Sequence, residues 1–235
     1  MVLQKELTYD IAHHALISLA MMENDGTACF DHMVPSLLNI ALQSQGIPEE
    51  SARLIGTTLV KMQTKLGIPS CHYSHSSDHL IFSTGQGSAA GSMALWLLIS
   101  TIRFGIVHKI AHGLHFSDPQ GNNTTQRTME GFVDDTDVAV NNANSATPST
   151  PTQLVKTLQT DAQHWESRGK LELNKCFFYI LIWSFSEDGT PSLISKAQLP
   201  HNRMITQGNL LAPTEIDHKD CSTPHHTLGV MKAPD

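Results

Sequence analysis

Apolar and polar positions along this chain repeat with helical spacing in some stretches and as short strand-like runs in others. Leu3 to Ala20 is compatible with a helix giving way to a strand, which the run ALISLAMM carries to an end near Glu23. Val34 to Gln45 and Glu49 to Leu66 read as two helices separated by Gly46, the second with Ile55, Leu59, Met62 and Leu66 on one face. Gly67 to Thr84 predicts a hairpin or an extended connection. Gly85 to Gly91 is a loop feeding a buried helix from Met93 to about His108. SDPQGNNTTQR and NNANSATPSTPT read as loops on either side of FVDDTDVAV. Gln153 to Arg168 forms an amphipathic helix with Leu154, Leu158, Ala162 and Trp165 inward, stopped by Gly169. Cys176 to Phe185 is a nearly continuous apolar strand, and residues 186–235, rich in His, Pro and Asp, read as irregular. The mixture predicts an α/β (α+β) fold.

Chemistry concentrates in FVDDTDVAV. Phe132, Val133, Val138 and Val140 favour strands, whereas Asp134, Asp135 and Asp137 favour turns, so the three carboxylates are expected at a hairpin tip. Clustered acids repel one another, and hard divalent cations such as Mg²⁺ relieve that repulsion through oxygen ligands. A solvated acidic turn is the ordinary alternative. A second acidic site raises the case for metal: Asp25 follows ALISLAMM, and Asp31 precedes the apolar-periodic VPSLLNIAL, where it also suits a helix cap. Two-metal phosphoryl transfer needs carboxylates from separate strand ends to hold ions roughly 3.5 to 4 Å apart. Asp25, Asp134 and Asp135 are the candidates.

Taken together, these motifs resemble the palm of a reverse transcriptase of the kind encoded by retrotransposons. Asp25 and Asp31 around Cys29-Phe30 resemble the first palm motif, and FVDDTD resembles the aspartate pair. Between them GQGSAAGSMALW is similar to the Gln-Gly motif that opens a long helix, although Ser92-Met93 stands where the family often has a proline. LELNKCFFYILIW, with Lys175, resembles the lysine motif, and HTLGVMKAPD resembles the Leu-Gly turn at the palm's edge. The resemblance implies an antiparallel sheet carrying the acidic site, with helices packed on one face and with fingers and thumb largely missing. It implies Mg²⁺ or Mn²⁺ on Asp25, Asp134 and Asp135, and Lys175 near the leaving pyrophosphate. Phe30 would gate the sugar 2′ position, and Gln86 and Gly87 would form the floor under the nascent base pair. The implied partners are an RNA or DNA template-primer and deoxynucleoside triphosphates, with other polyprotein domains alongside, in cytoplasm or nucleus. Residues 1–185 would be palm with partial fingers, and 186–235 a palm-edge or thumb-proximal segment.

Composition sets limits on that reading. Within 235 residues, 15 Lys plus Arg stand against 22 Asp plus Glu, a net charge of −7, whereas proteins that grip a duplex normally present a basic surface. A non-catalytic remnant or interaction protein derived from a retroelement therefore stands beside the polymerase. Four cysteines, none at CxxC spacing, suit a reduced protein better than a disulfide scaffold. Cys71, His72, His75 and His79, and the patch Asp217, His218, Asp220, Cys221, His225 and His226, offer a zinc-binding module as a further alternative. GQGSAAG fits a dinucleotide fingerprint poorly, because Gly91 comes one position late and Asp118 is too distant. MALWLLISTIRFGIV is short and interrupted by Arg103, which reads as a buried helix and not as a membrane span.

Overall fold

The computed structural model describes residues 2–26, 35–60, 64–65, 72–73, 113–118, 120–132, 135–141, 150–169, 171–200, 203–206, 213–227 and 230–234. The first elements in chain order are α1 (Val2–His14), β1 (Leu19–Asn24), α2 (Pro35–Ser44), α3 (Glu49–Val60), β2 (Thr64–Lys65) and β3 (His72–Tyr73). After these come β4 (Leu114–Ser117), β5 (Thr124–Arg127), β6 (Met129–Phe132), β7 (Asp135–Val140), α4 (Pro151–Gly169) and β8 (Phe177–Leu181). The last are β9 (Trp183–Phe185), β10 (Pro191–Leu193), β11 (Met204–Thr206), β12 (Thr214–His218), β13 (His225–Thr227) and β14 (Val230–Lys232). The chain divides into two units, one made of Met1–Thr27 with Gly105–Asp235 and the other of Ala28–Phe104.

In the larger unit, a six-stranded sheet in the order β11-β12-β8-β1-β7-β6 stands among the described residues, antiparallel except between β12 and β8. Every position of β1 and of β8 is buried. Strands apolar on both faces cannot leave either face to water, so the sheet needs a cover on each side. On one side Tyr9 and Ala12 of α1 pack with Leu19, Met21, Ala139, Tyr179 and Leu181. Alternate residues of the same strands, Met22, Val138, Phe178 and Ile180, point the other way, and α4 lies across β1, β7, β8 and β11. This corrects the expectation of helices on one face only.

Local chemistry explains where the helices stop and start. Pro151 opens α4, and Thr150 and Gln153 form a reciprocal capping box: the Gln153 N–H donates to Thr150 Oγ1 at 3.3 Å, and the Thr150 N–H donates to Gln153 Oε1 at 3.0 Å. α4 buries Leu154, Leu158 and Ala162, as its periodicity predicts. In the smaller unit α2 ends in a Schellman turn. Gly46 there has φ +85°, the Ile47 N–H donates to Leu42 O at 3.1 Å, and Ile47 packs against Leu38, Leu42 and Ala52. The same turn ends α1 with Leu16 at φ 51°, a left-handed conformation that costs a side-chain-bearing residue about 1 kcal/mol.

Two loop expectations are corrected. SDPQGNNTTQR is a hairpin: Leu114 to Ser117 pair with Arg127 to Thr124, and the Asp118 carboxylate accepts from the Asn122 and Asn123 backbone N–H groups. The 186–235 stretch is not irregular: it supplies β10 to β14, and β11 and β12 join the main sheet. The NNANSATPSTPT loop and the helix expected from Met93 lie mostly or wholly outside the described residues.

Leu158 is fully buried and Leu3 is 78% exposed. Leu158→Ala is expected to lower unfolding free energy by about 2 to 5 kcal/mol and Leu3→Ala by less than about 0.5, read from urea midpoints. Equal losses at the two sites would contradict the burial pattern.

Candidate active site

The acidic positions are set by the register between β1 and β7. Glu23 pairs with Asp137 and Asn24 with Thr136, so the next step along each strand is Asp25 on one and Asp135 on the other. Phe132 pairs with Asp135 between β6 and β7, and Val133 and Asp134, which stand between them in sequence, lie outside the described residues. Phe30, Gln86 and Gly87 also lie outside them.

Asp25 is held by the segment before β8. Its carbonyl accepts the Glu172 N–H at 2.9 Å, its own N–H donates to Cys176 Sγ at 3.4 Å, and Gly26 bridges Leu171. A turn closed by the Lys175 N–H on Glu172 O at 2.8 Å then brings Lys175 round, and its ammonium donates to Asp25 Oδ2 at 2.9 Å. The Lys175 side chain is 65% exposed and that of Asp25 19%. Exposed ion pairs of this kind contribute about 0 to 1 kcal/mol, so the contact is easily exchanged for another partner.

Asp137 departs from expectation. It is not at the hairpin tip but two residues into β7, buried beside Glu23. Aspartate disfavours strands by propensity, but a buried partner overrides that preference here. The partner is Lys5 of α1, itself buried, which contacts Glu23 and lies 3.4 Å from Asp137 Oδ2. From the other end of the chain His225 places Nε2 at 2.6 Å from Glu23 Oε1, and its Nδ1 meets the Tyr179 hydroxyl. None of Lys5, Glu23 and Tyr179 was singled out by motif, and His225 was singled out only as part of the zinc alternative. The signal available was a charged residue inside each of two apolar runs, together with Lys5, Tyr9 and Ala12 recurring on one helical face.

Burial pushes the Glu23 carboxyl up, but the His225 hydrogen bond and the Lys5 charge outweigh it and hold Glu23 below its ordinary 4.5. Asp137 goes the other way, from 3.8 to about 7, chiefly through burial, with Lys5 pulling down and Glu23 and Asp135 pushing up. The nearer carboxylate to Lys5 stays ionised, and the farther one keeps a proton into the neutral range.

The patch from Asp217 to His225 does not converge as a zinc site would. His218 stacks on Phe178 with ring centroids 4.6 Å apart, Asp220 accepts from the Lys196 N–H at 2.7 Å, Cys221 donates to Ile180 O at 3.4 Å, and His225 turns into the buried cluster. Among the described residues no group of three or more His, Cys, Asp or Glu is arranged to hold a metal ion. A cavity of about 490 Å³ opens beside Asn174, where Glu215 and Asp217 line it with Lys196 and His218. Those opposite charges favour no single ligand charge.

No protein-family model matches the chain, and no curated protein matches it.

The titration of Asp137 gives stability a sign. A carboxyl with a raised folded pKa binds a proton that the unfolded chain has released, so its contribution falls as pH rises from about 4 to about 7. The Glu23 contribution, with a lowered pKa, has the opposite sign: it is present above its ordinary 4.5 and is lost as pH falls from there. Asp137→Asn is expected to flatten the decline, losing most against wild type near pH 5 and least near pH 8. Urea unfolding across that range is the measurement, and parallel curves for the two proteins would refute it.

Proposed function

We propose that the chain is a reverse-transcriptase palm, which transfers a deoxynucleotide from its triphosphate to a primer 3′-hydroxyl under the direction of a template. The observation that carries this reading is the arrival of Asp25 and Asp135 at neighbouring strand ends from segments more than a hundred residues apart in the chain. Asp134 adjoins Asp135 in sequence and completes the proposed set.

These residues fit a hard divalent cation. Carboxylate oxygens are the donors such ions take, and the Asp25 side chain keeps access to solvent. When bound by Asp25, Asp134 and Asp135, Mg²⁺ or Mn²⁺ supplies activation of the attacking hydroxyl and charge stabilisation at the leaving oxygens. Lys175 balances the Asp25 carboxylate until a cation competes for it. Its ammonium, on an exposed turn beside the site, then supplies charge or a proton to the departing pyrophosphate. In this reading Phe30 excludes a ribose 2′-hydroxyl, and Gln86 and Gly87 support the nascent base pair. The net charge of −7 favours a second reading, a catalytically silent remnant that shares the same framework.

Primer extension on an RNA template with Mg²⁺ separates the two. The palm reading expects extension by the intact chain and a loss of at least about a hundredfold in Asp134→Asn and in Asp25→Asn, since removing even an outer-shell partner of a metal costs about 10- to 100-fold. Equal extension by wild type and variants would remove the assigned site, and no extension by any of them would leave the remnant reading.

A further inference from the structure

The buried cluster around Lys5 lies immediately behind the proposed site, and the chemistry above makes no use of it. Glu23 and Asp137 are directly opposed across the β1–β7 pair, two residues before Asp25 and two residues after Asp135. Like charges in a directly opposed cross-strand pair are destabilising, and burial strengthens the repulsion. When both are ionised, that repulsion would drive the ends of the two strands apart.

We propose that Lys5 is a positioning residue, whose ammonium bridges Glu23 and Asp137 and so keeps the Asp25 end of β1 in register with the Asp135 end of β7. Three features of the cluster carry this. Lys5 is 2% exposed although lysine is almost never buried without a partner, and its amine contacts carboxylates on both strands. His225, oriented by the Tyr179 hydroxyl, takes up Glu23 from the other side, while Lys5 reaches across to Asp137. Lys5 is delivered by a helix whose other inward residues, Tyr9 and Ala12, are packed into the sheet core, so the amine is fixed by the packing of α1 and not by a flexible loop. The bridge itself stands on this geometry; its importance for metal binding and catalysis rests on the palm reading.

Amide hydrogen exchange on the full chain tests the bridge without requiring activity. Lys5→Met keeps the length and apolar stem and removes the charge. Peptides covering 19–26 and 135–140 are expected to exchange at least about tenfold faster in that variant, with β11 and β12 unchanged, because strand ends open locally when a buried charge loses its partner. Lys5→Met/Asp137→Asn, which removes one of the opposed carboxylates as well, should return both peptides to within about threefold of wild type. Unchanged exchange in Lys5→Met, a uniform rise that includes β11 and β12, or no recovery in the double variant would each overturn the proposal. Should Lys5→Met fail to fold, cooperative unfolding restored in the double variant supports the bridge, and a double variant equally unfolded overturns it. Mg²⁺-dependent primer extension by the same proteins keeps the two readings apart. The exchange pattern without extension by wild type would sink the palm and leave Lys5 in its role, whereas extension without the pattern would sink only Lys5.

Discussion

The register of β1 against β7 is the constraint on which the rest of the molecule depends. β1 sits between β7 and β8 and is buried at every position, so a slip of one residue would turn Glu23 from the α1 side to the α4 side and bring Met22 round in its place. In the observed register Glu23 meets Asp137, and the groups that contact them come from opposite ends of the chain. Lys5 and His225 are 220 residues apart in sequence yet approach within 3.5 Å. The N-terminal helix and the C-terminal hairpin are thereby tied to the centre of the sheet. Contacts of such range must overcome loop-closure entropy before they return any energy.

Two lysines face acidic strand ends, and their surroundings give them opposite characters. Lys175 meets Asp25 on an exposed turn, where the pair contributes about 0 to 1 kcal/mol and either partner is free to exchange. Lys5 meets Glu23 and Asp137 in the interior, where removing one member of such a set costs about 3 to 5 kcal/mol because a buried charge is left uncompensated. The same residue type forms an exposed pair at the sheet's rim and a fixed part of the framework two residues below it.

Legibility varied with the length of the signal. Helices α2, α3 and α4 extend over ten residues or more, and their positions followed from periodicity, Gly46 and Gly169, except that α3 ends at Val60 and Thr64–Lys65, expected within it, form β2. Strands β10 to β14 are three to five residues each, too short for a period of two to stand out among His, Pro and Asp. The β4–β5 hairpin was hidden for a related reason. Its turn is built from Asp118, Gly121 and Asn123, polar residues that read as a loop until the pairing of Leu114 with Arg127 is known.

By itself the sequence determined that the chain mixes helices with apolar strands, that acids stand at the ends of two of those strands, and that Lys175 precedes a third. Local propensity and side-chain period are sufficient for that much, because both act over a few residues. Tertiary structure alone decided that Asp25 and Asp135 are neighbours, that Asp137 is a buried strand residue and not part of the tip, and that Lys5 and His225 belong to the same cluster. Each of these depends on strand register and on burial, which are properties of the assembled sheet and raise or neutralise a carboxylate according to what the fold brings beside it.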